Sequence, residues 1–369
     1  MELDINLYSI IQLLSGVTLL IVGLCLLGIS IPRGDTLRNY RISRRLLSLA
    51  FFMLGAVSIW EVWAGFEPDS GFDPVILVLT LSTAALQAFL FTSALINLIN
   101  IRFMTTRWML SQFGLIAGLS AVLLIIYAYV KPEITWPLFW VFTGFYCLQL
   151  LYYIRLFIRE HRKYQHNIDN YFSEDEQNRL AWVKHFFILA AGIGVSAIVS
   201  LFLPTVPYIL FILTYTVLYV YFSVKYINYA LIFKHIEPTL NLSAPTPVPQ
   251  GSWQEQLSGS LEAWVLSRGY ISPNITLGTL ARQLATNQTY LSRYINTTKG
   301  LTFKQWIGAL RIAEAQKLLA GNPEIAIDDI YRRVGISSRS SFFRQFTDVT
   351  GMAPGEYRDR FGSGRTEPT

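Results

Sequence analysis

Seven apolar runs, at roughly 7–31, 46–66, 74–99, 108–130, 137–158, 183–203 and 206–232, occupy the first two thirds of this 369-residue chain. A helix needs about 20 mainly apolar residues to cross a hydrocarbon core of ~30 Å, and each run meets that length. A backbone in lipid must satisfy its own polar groups, so only helices and closed barrels span a membrane. Barrel strands take about 9–11 residues, so these runs read as helices. The first six residues carry Glu2 and Asp4 and no basic residue, and no small-x-small cleavage site precedes Pro32. The first run therefore reads as a retained helix rather than a signal peptide.

Composition supports this reading. Charged residues make up only 15% of the chain and apolar residues 52%, against about 25% charged in an average soluble protein. A plain cytosolic enzyme and a disordered chain are both excluded. The charge is also uneven. Residues 1–252 hold 16 Lys/Arg and 14 Asp/Glu, mostly in clusters between the runs, while 253–369 hold the remaining 14 and 10, evenly spread. Cys25 and Cys147 both lie inside apolar runs and make neither a disulfide framework nor a zinc site.

Loop charges predict the orientation. Arg33, Arg38, Arg41, Arg44, Arg45, Arg102, Arg107, Arg155, Arg159, Arg162, Lys163, Arg179 and Lys184 fall on one side. The other side carries Glu67, Asp69 and Asp73, with Lys131 as its basic residue. The positive-inside rule then puts the N-terminus outside and the C-terminus in the cytoplasm. Residues 1–235 are expected to form the membrane domain. Residues 236–252, with Pro238, Pro245, Pro247 and Pro249, form a spacer that cannot be helix or sheet. Residues 253–369 are expected to form a soluble helical domain.

Within that last domain the apolar spacing is helical. Leu277, Leu280, Ala281 and Leu284 fall at i, i+3, i+4 and i+7, and Ile327, Ile330, Tyr331 and Val334 repeat the stripe. Asn287 stands at an N-cap position before Leu291, Tyr294 and Ile295. Gly335 supplies a positive-φ turn, and Ser337 or Ser338 can cap a helix burying Phe342, Phe343 and Phe346. A long helix from about Thr302 to Ala320 joins the two pairs. Helix, short turn, helix, twice over, is a double helix-turn-helix. The second helix of such a unit enters the major groove. Outward positions on these two helices are Gln288, Thr289, Ser292, Arg293 and Asn296, then Arg339, Ser340, Arg344 and Gln345. Arginine can bond guanine O6 and N7 together, and Ser or Thr suits either kind of edge. Lys304 is a candidate phosphate contact.

From about Gln256 to Arg360 the chain resembles the DNA-binding domain of AraC-type transcription regulators. The resemblance rests on TLGTLARQLATNQTYLSRYI, ALRIAEAQKLL, IDDIYRRVGISSRSSFFRQF and GMAPGEYR, in that order. It implies sequence-specific binding to double-stranded DNA, with Thr289, Ser292, Arg293, Arg339, Ser340 and Arg344 facing bases. Tyr331 departs from the small alanine usual in the family. Asn296, Thr297, Thr347 and Asp348 stand where basic residues often sit, which implies fewer phosphate contacts.

The membrane runs carry no HExxH, phosphate loop, GxSxG or Cys/His ligand cluster. No catalytic group, metal site or cofactor is expected, and the chain is not read as an enzyme. Lys225 lies near the inner end of the seventh run and reads as a snorkelling lysine. Glu61, flanked by Trp60 and Trp63, reads either as an interfacial belt residue or as part of a ligand-sensing pocket with Trp136 and Trp140. Gln87 and Gln149 sit near mid-membrane as interhelical hydrogen-bonding residues, and Gly114 and Gly118 form a GxxxG in the fourth run that suits close packing or a homodimer.

The expected fold class is all-α: a seven-helix transmembrane bundle followed by a soluble double helix-turn-helix domain. The expected function is a one-component transcription regulator in a bacterial cytoplasmic membrane. Its partners are DNA, the lipid bilayer and a small-molecule or membrane signal. The other organisation open to such a chain is a multi-pass receptor or transporter whose C-terminal domain recruits a protein.

Overall fold

A computed structural model describes residues 2–31, 37–68, 74–100, 103–129, 132–174, 181–228, 253–322 and 324–362. The spacer at 236–252 lies outside the described residues, as do Arg33, Asp69, Asp73, Arg102, Lys131 and Arg179. The chain divides into two compact units. One is built from Met1–Arg162 and Leu180–Glu237, the other from Lys163–Arg179 and Pro238–Thr369.

The first unit holds α1 (Glu2–Gly28), α2 (Arg38–Trp63), α3 (Pro74–Ile99), α4 (Thr106–Tyr129), most of α5 (Pro132–Asp169), α6 (Ala181–Ser200) and α7 (Thr205–Asn228). All seven are long and apolar enough to cross a membrane. Helix α2 packs on α1 and α3, α7 packs on α1, and α3 also meets α4 and α6. Helices α1 and α2 cross at paired glycines. A Cβ on Gly55 would lie 2.8 Å from the Gly16 carbonyl oxygen, so the backbones touch. Polar side chains tie the helices across the interior. Ser48 Oγ donates to the Gly23 carbonyl at 2.7 Å. Tyr40 and Tyr226 stack and donate to each other's carbonyls at 2.8 and 2.9 Å. Gln87 donates to the Ala50 carbonyl, and Gln149 to the Ala85 carbonyl. Outward faces are hydrocarbon, as with Leu110, Phe113, Leu115, Val122 and Ile125 on α4. Gly114 and Gly118 sit on that helix with nothing within 4 Å of an added Cβ.

The second unit holds α8 (Trp253–Leu266), a 3-10 turn (Gly269–Ile271), α9 (Leu277–Gln283), α10 (Gln288–Tyr294), a π-turn (Ile295–Lys299), α11 (Phe303–Gly321), α12 (Ile327–Arg333), α13 (Arg339–Thr350) and α14 (Pro354–Phe361). Among the described residues there is no strand, and the fold is all-α. The end of α5 and the residues after it join this unit, where the sequence reading assigned everything before residue 236 to the membrane domain. Hydropathy locates the apolar core of a helix, and the polar continuation of α5 beyond that core is free to pack elsewhere.

Candidate nucleic-acid interface and signal site

Both helix-turn-helix units are shaped by local chemistry. Thr276 caps α9, accepting from the Thr279 N–H while the Thr279 hydroxyl bonds back to the Thr276 N–H, a reciprocal capping box. Helix α9 ends at Leu284 with φ −89° and ψ 6°, and α12 ends at Val334 with the same angles. The next residue in each unit is left-handed: Ala285 at φ 51° and Gly335 at φ 81°. Asn287 then caps α10, accepting from the Thr289 N–H at 2.7 Å. Ser338, not Ser337, caps α13, accepting from the Ser341 N–H at 3.2 Å. The units are therefore repeats in backbone as well as in pattern. Thr302 and Gln305 form a second capping box at the start of α11. Ile312, Ala315, Leu319, Ile330, Tyr331, Val334, Phe342 and Phe346 close the second unit's core. Tyr331 fills a place there, its ring 6.2 Å from that of Phe342.

Arg293, Arg339, Ser340 and Arg344 are exposed, and Thr289 and Ser292 half-buried. Arg339 lies over the Phe343 ring at 5.2 Å and 3.6 Å from Asp328, with both members of that pair more than half exposed. Such a pair contributes at most ~1 kcal/mol and competes weakly with a base. Asn296 falls in the π-turn, its amide donating to Ser292 Oγ at 3.5 Å. Two residues expected to face outward do not. Gln345 donates to Ser341 Oγ at 2.8 Å and sits against Gly308 of α11. It follows Phe342 by three positions, which turns it toward the buried stripe. Gln288 lies over Gly278, close to the Tyr171 hydroxyl, and is half-buried.

Tyr171 belongs to a segment the sequence reading left in a loop. Just beyond α5, the Tyr171 carbonyl accepts from the Leu277 N–H at 2.8 Å. Phe172 bridges Thr276 in antiparallel fashion, and the Ser173 N–H and hydroxyl both donate to the Ile275 carbonyl. Phe172 and Ser173 are 5% and 2% exposed, so the contact is closed to water. Two carboxylates extend it. Asp169 pairs with Lys304 at 3.3 Å, and Glu174 accepts from Ser337 Oγ and lies 3.9 Å from Arg311. Arg311 is 1% exposed and donates to the Tyr270 and Ser272 carbonyls, both at 2.8 Å. Burial pushes its guanidinium down to about 10, with Glu174 acting in the opposite direction, so it stays charged at neutral pH. Lys304, expected to meet phosphate, thus already faces a carboxylate. Asp169, Lys304, Arg344, Gln345 and Asp348 line one groove. A clasp of residues 169–174 therefore spans from the first helix-turn-helix unit to the turn before α13 in the second. The signal for it was the sequence SED at 173–175 after a helix already expected to end, which reads as solvated loop without the partner residues in view.

In the first unit the expected sensing residues do not converge. Glu61 is 6% exposed and accepts from Gln12 Nε2. Trp60 and Trp63 are 37% and 83% exposed, and Trp140, 48% exposed, stacks on Phe202. One helical turn is about 3.6 residues, so neighbours of an inward Glu61 at −1 and +2 point elsewhere. The backbone of Trp136 lies in α5, and its side chain is outside the described residues. The companions of Glu61 are instead Gln12, Ser58, Tyr208 and Tyr215, which line a cavity with it. Their inward spacing along α7, with Tyr208, Tyr215 and Tyr219 on one stripe, was the available signal.

Comparison with known proteins agrees with the second unit's geometry. The family model described as Helix-turn-helix domain matches residues 280–360. The melibiose operon regulatory protein of Escherichia coli (strain K12) is 32% identical over 94 residues, 24% of this chain and 31% of that protein. The HTH-type transcriptional regulator YtdP of Bacillus subtilis (strain 168) is 30% identical over 86 residues, 23% of this chain and 11% of that one. The Msm operon regulatory protein of Streptococcus mutans is 25% identical over 109 residues, 28% of this chain and 39% of its own length. The C-terminal domain of AraT, a response regulator from Geobacillus stearothermophilus, aligns with 31% of this chain and 91% of its own at 24% identity and TM-score 0.27. The chain thus spans 11–39% of the curated relatives it matches. The C-terminal domain is an AraC-type helix-turn-helix domain, and the relatives that share it are transcription regulators.

Proposed function

We propose that this chain is a membrane-embedded one-component transcription regulator. Its AraC-type domain binds a specific site on double-stranded DNA at the inner face of a bacterial cytoplasmic membrane, under the control of a signal received by the seven-helix unit. The observation that carries the reading is the presence, in one chain, of two helix-turn-helix units with exposed arginines and seven helices of membrane-spanning length. Thr289, Ser292, Arg293, Arg339, Ser340 and Arg344 make the base contacts, and Asn296 flanks the first set. Basic loops keep the N-terminus outside and the DNA-binding domain in the cytoplasm. A second copy of the chain gives the regulator a two-fold partner through the open Gly114–Gly118 face.

The test joins location to DNA. A reporter fused after Thr369 is expected to be active in the cytoplasm, and Ser70→Cys to be labelled from outside intact cells. Crosslinked, membrane-extracted protein is expected to carry a small set of enriched chromosomal segments. Labelling only after lysis reverses the topology. DNA at background level, with a protein recovered in its place, returns the receptor reading.

Helix α5 and the clasp supply the route of control. A shift of α5 moves Asp169–Glu174 against the first residues of α9 and the edge of α13, and so alters how the recognition helices are presented. The clasp is also acidic, beside Gln288 and the groove holding Arg344, and disfavours DNA phosphates. Asp169→Asn combined with Glu174→Gln in the full chain is expected to tighten DNA binding about tenfold at low salt. It should also steepen the salt dependence by about one unit as Lys304 becomes available to phosphate. Equal affinity and slope in parent and variant, measured across a salt series, would show that the clasp only supports the fold.

A further inference from the structure

The cavity inside the seven-helix unit has a volume of about 110 Å³. An engineered cavity of about 150 Å³ holds benzene, so this smaller one has room for a short aliphatic chain. Its walls are largely hydrocarbon and aromatic, with Leu54, Phe91, Leu150, Phe187 and Phe211 among them. Its polar lining includes hydroxyls, among them Ser58, Thr83, Tyr208 and Tyr215, together with one carboxylate and two amides. Glu61 lines it, and Gln12 Nε2 is committed to Glu61. Gln12 Oε1 is buried without a hydrogen-bond partner among the described residues. Gln87 also lines it, with Nε2 committed to the Ala50 carbonyl and Oε1 likewise buried and unpartnered. These side chains are 2% and 7% exposed. Among the described residues no Lys, Arg or His lines the cavity. A carboxylate within a bundle of this kind is costly unless a counter-charge meets it, and orphaned buried acceptors carry a further penalty. Tyr208, Tyr215 and Tyr219 add ring faces, which favour a cation.

From the carboxylate without a cationic neighbour and the two orphaned amide oxygens we infer that the cavity binds a small ligand with an apolar body and a protonated amine, the ammonium placed against Glu61 and its N–H groups turned to Gln12 Oε1. The apolar body lies among Leu54, Phe91 and Phe211. The inference rests on the reading of the seven-helix unit as the sensor and gives that sensor a ligand class. It also explains why the site needs Glu61 but not the outward Trp60, Trp63 and Trp140.

The test uses the full chain in lipid nanodiscs, with propylammonium, 1-propanol and propionate as matched probes and sodium chloride as the ionic control. Propylammonium is expected to bind at least tenfold more tightly than 1-propanol by calorimetry, with propionate and sodium producing no heat of binding. Glu61→Gln keeps the size and the hydrogen bond to Gln12 and is expected to remove that preference. Ala84→Leu, which adds bulk to the lining of the cavity and leaves the carboxylate in place, is expected to weaken both the amine and the alcohol. Equal binding of alcohol and amine, equal binding by parent and Glu61→Gln, or a response to sodium matching that to the amine overturns the ligand class. Selective amine binding that leaves expression from the bound promoter unchanged retains the site and overturns the sensor reading.

Discussion

Gly335→Ala is expected to remove most of the stability of the second helix-turn-helix unit. Gly335 has φ 81°, and an added Cβ would lie 2.1 Å from the Ile271 carbonyl oxygen and 2.8 Å from its carbon. Both atoms are backbone, so no rotamer change relieves the clash. The left-handed conformation costs a residue with a Cβ about 1–2 kcal/mol, and forced overpacking adds about 1–3 kcal/mol. A loss of about 2–5 kcal/mol is a large share of the stability of a marginal domain. Gly351→Ala is the matched control. It has φ 73° and nothing within 4 Å, so it bears only the conformational cost. Hydrogen exchange on the full chain decides the matter. Amide protection across α12 and α13 should fall by about thirtyfold or more for Gly335→Ala and by roughly tenfold for Gly351→Ala. Equal loss in the two variants would mean that Ile271 yields and the close approach is soft.

Arg293→Ala and Arg339→Ala are expected to damage recognition at two separate places on the DNA. Each removes a side chain suited to a bidentate guanine contact, worth about 1–3 kcal/mol of discrimination. The recognition helices α10 and α13 follow each other in one chain, so they meet successive major-groove faces about 10 base pairs apart. A footprint of the parent should show two protected segments at that spacing. Each variant should relax base preference in one segment and leave the other as it was. Variants that bind as the parent does, or that disturb both segments alike, would place the DNA on another surface. Arg339 leaves a weak exposed pair with Asp328 to reach DNA, so its effect should sit at the lower end of the range.

Much of this architecture was legible in the sequence because its causes are local. Runs of hydrocarbon report the solvent a helix must lie in, and the stripes at Leu277–Leu284 and Ile327–Val334 report helices that bury one face. The cap at Asn287 is read directly from a side chain that accepts a backbone N–H group. Helix bounds were less legible. Helix α2 starts at Arg38, among the basic residues, and α5 continues to Asp169. Hydropathy detects the membrane, not the backbone. Ala285 was missed as the counterpart of Gly335 because alanine gives no sign of a positive φ. The site was less legible than the fold. Gln288 and Gln345 turn inward because partners distant in sequence, Gly278 and Gly308, leave room for them. Apart from Ser58 one turn before it, the companions of Glu61 come from α1 and α7, and no spacing within α2 names those.

The involvement of residues 163–179 in the second unit bears on how this chain can be cut and recombined. Its DNA-binding half is discontinuous: two stretches separated by α6 and α7 make one folded body. A fragment beginning at Trp253 would leave the backbone N–H of Leu277 and the carbonyl of Ile275 without Tyr171 and Ser173, and would bare the surface that Phe172 covers. Exchange of the membrane half as a cassette at the proline spacer would sever the same contacts. A working chimera must therefore carry its own version of the α5 end, fitted to the domain it serves. In the history of such chains, that requirement ties the two halves to change together rather than to shuffle freely.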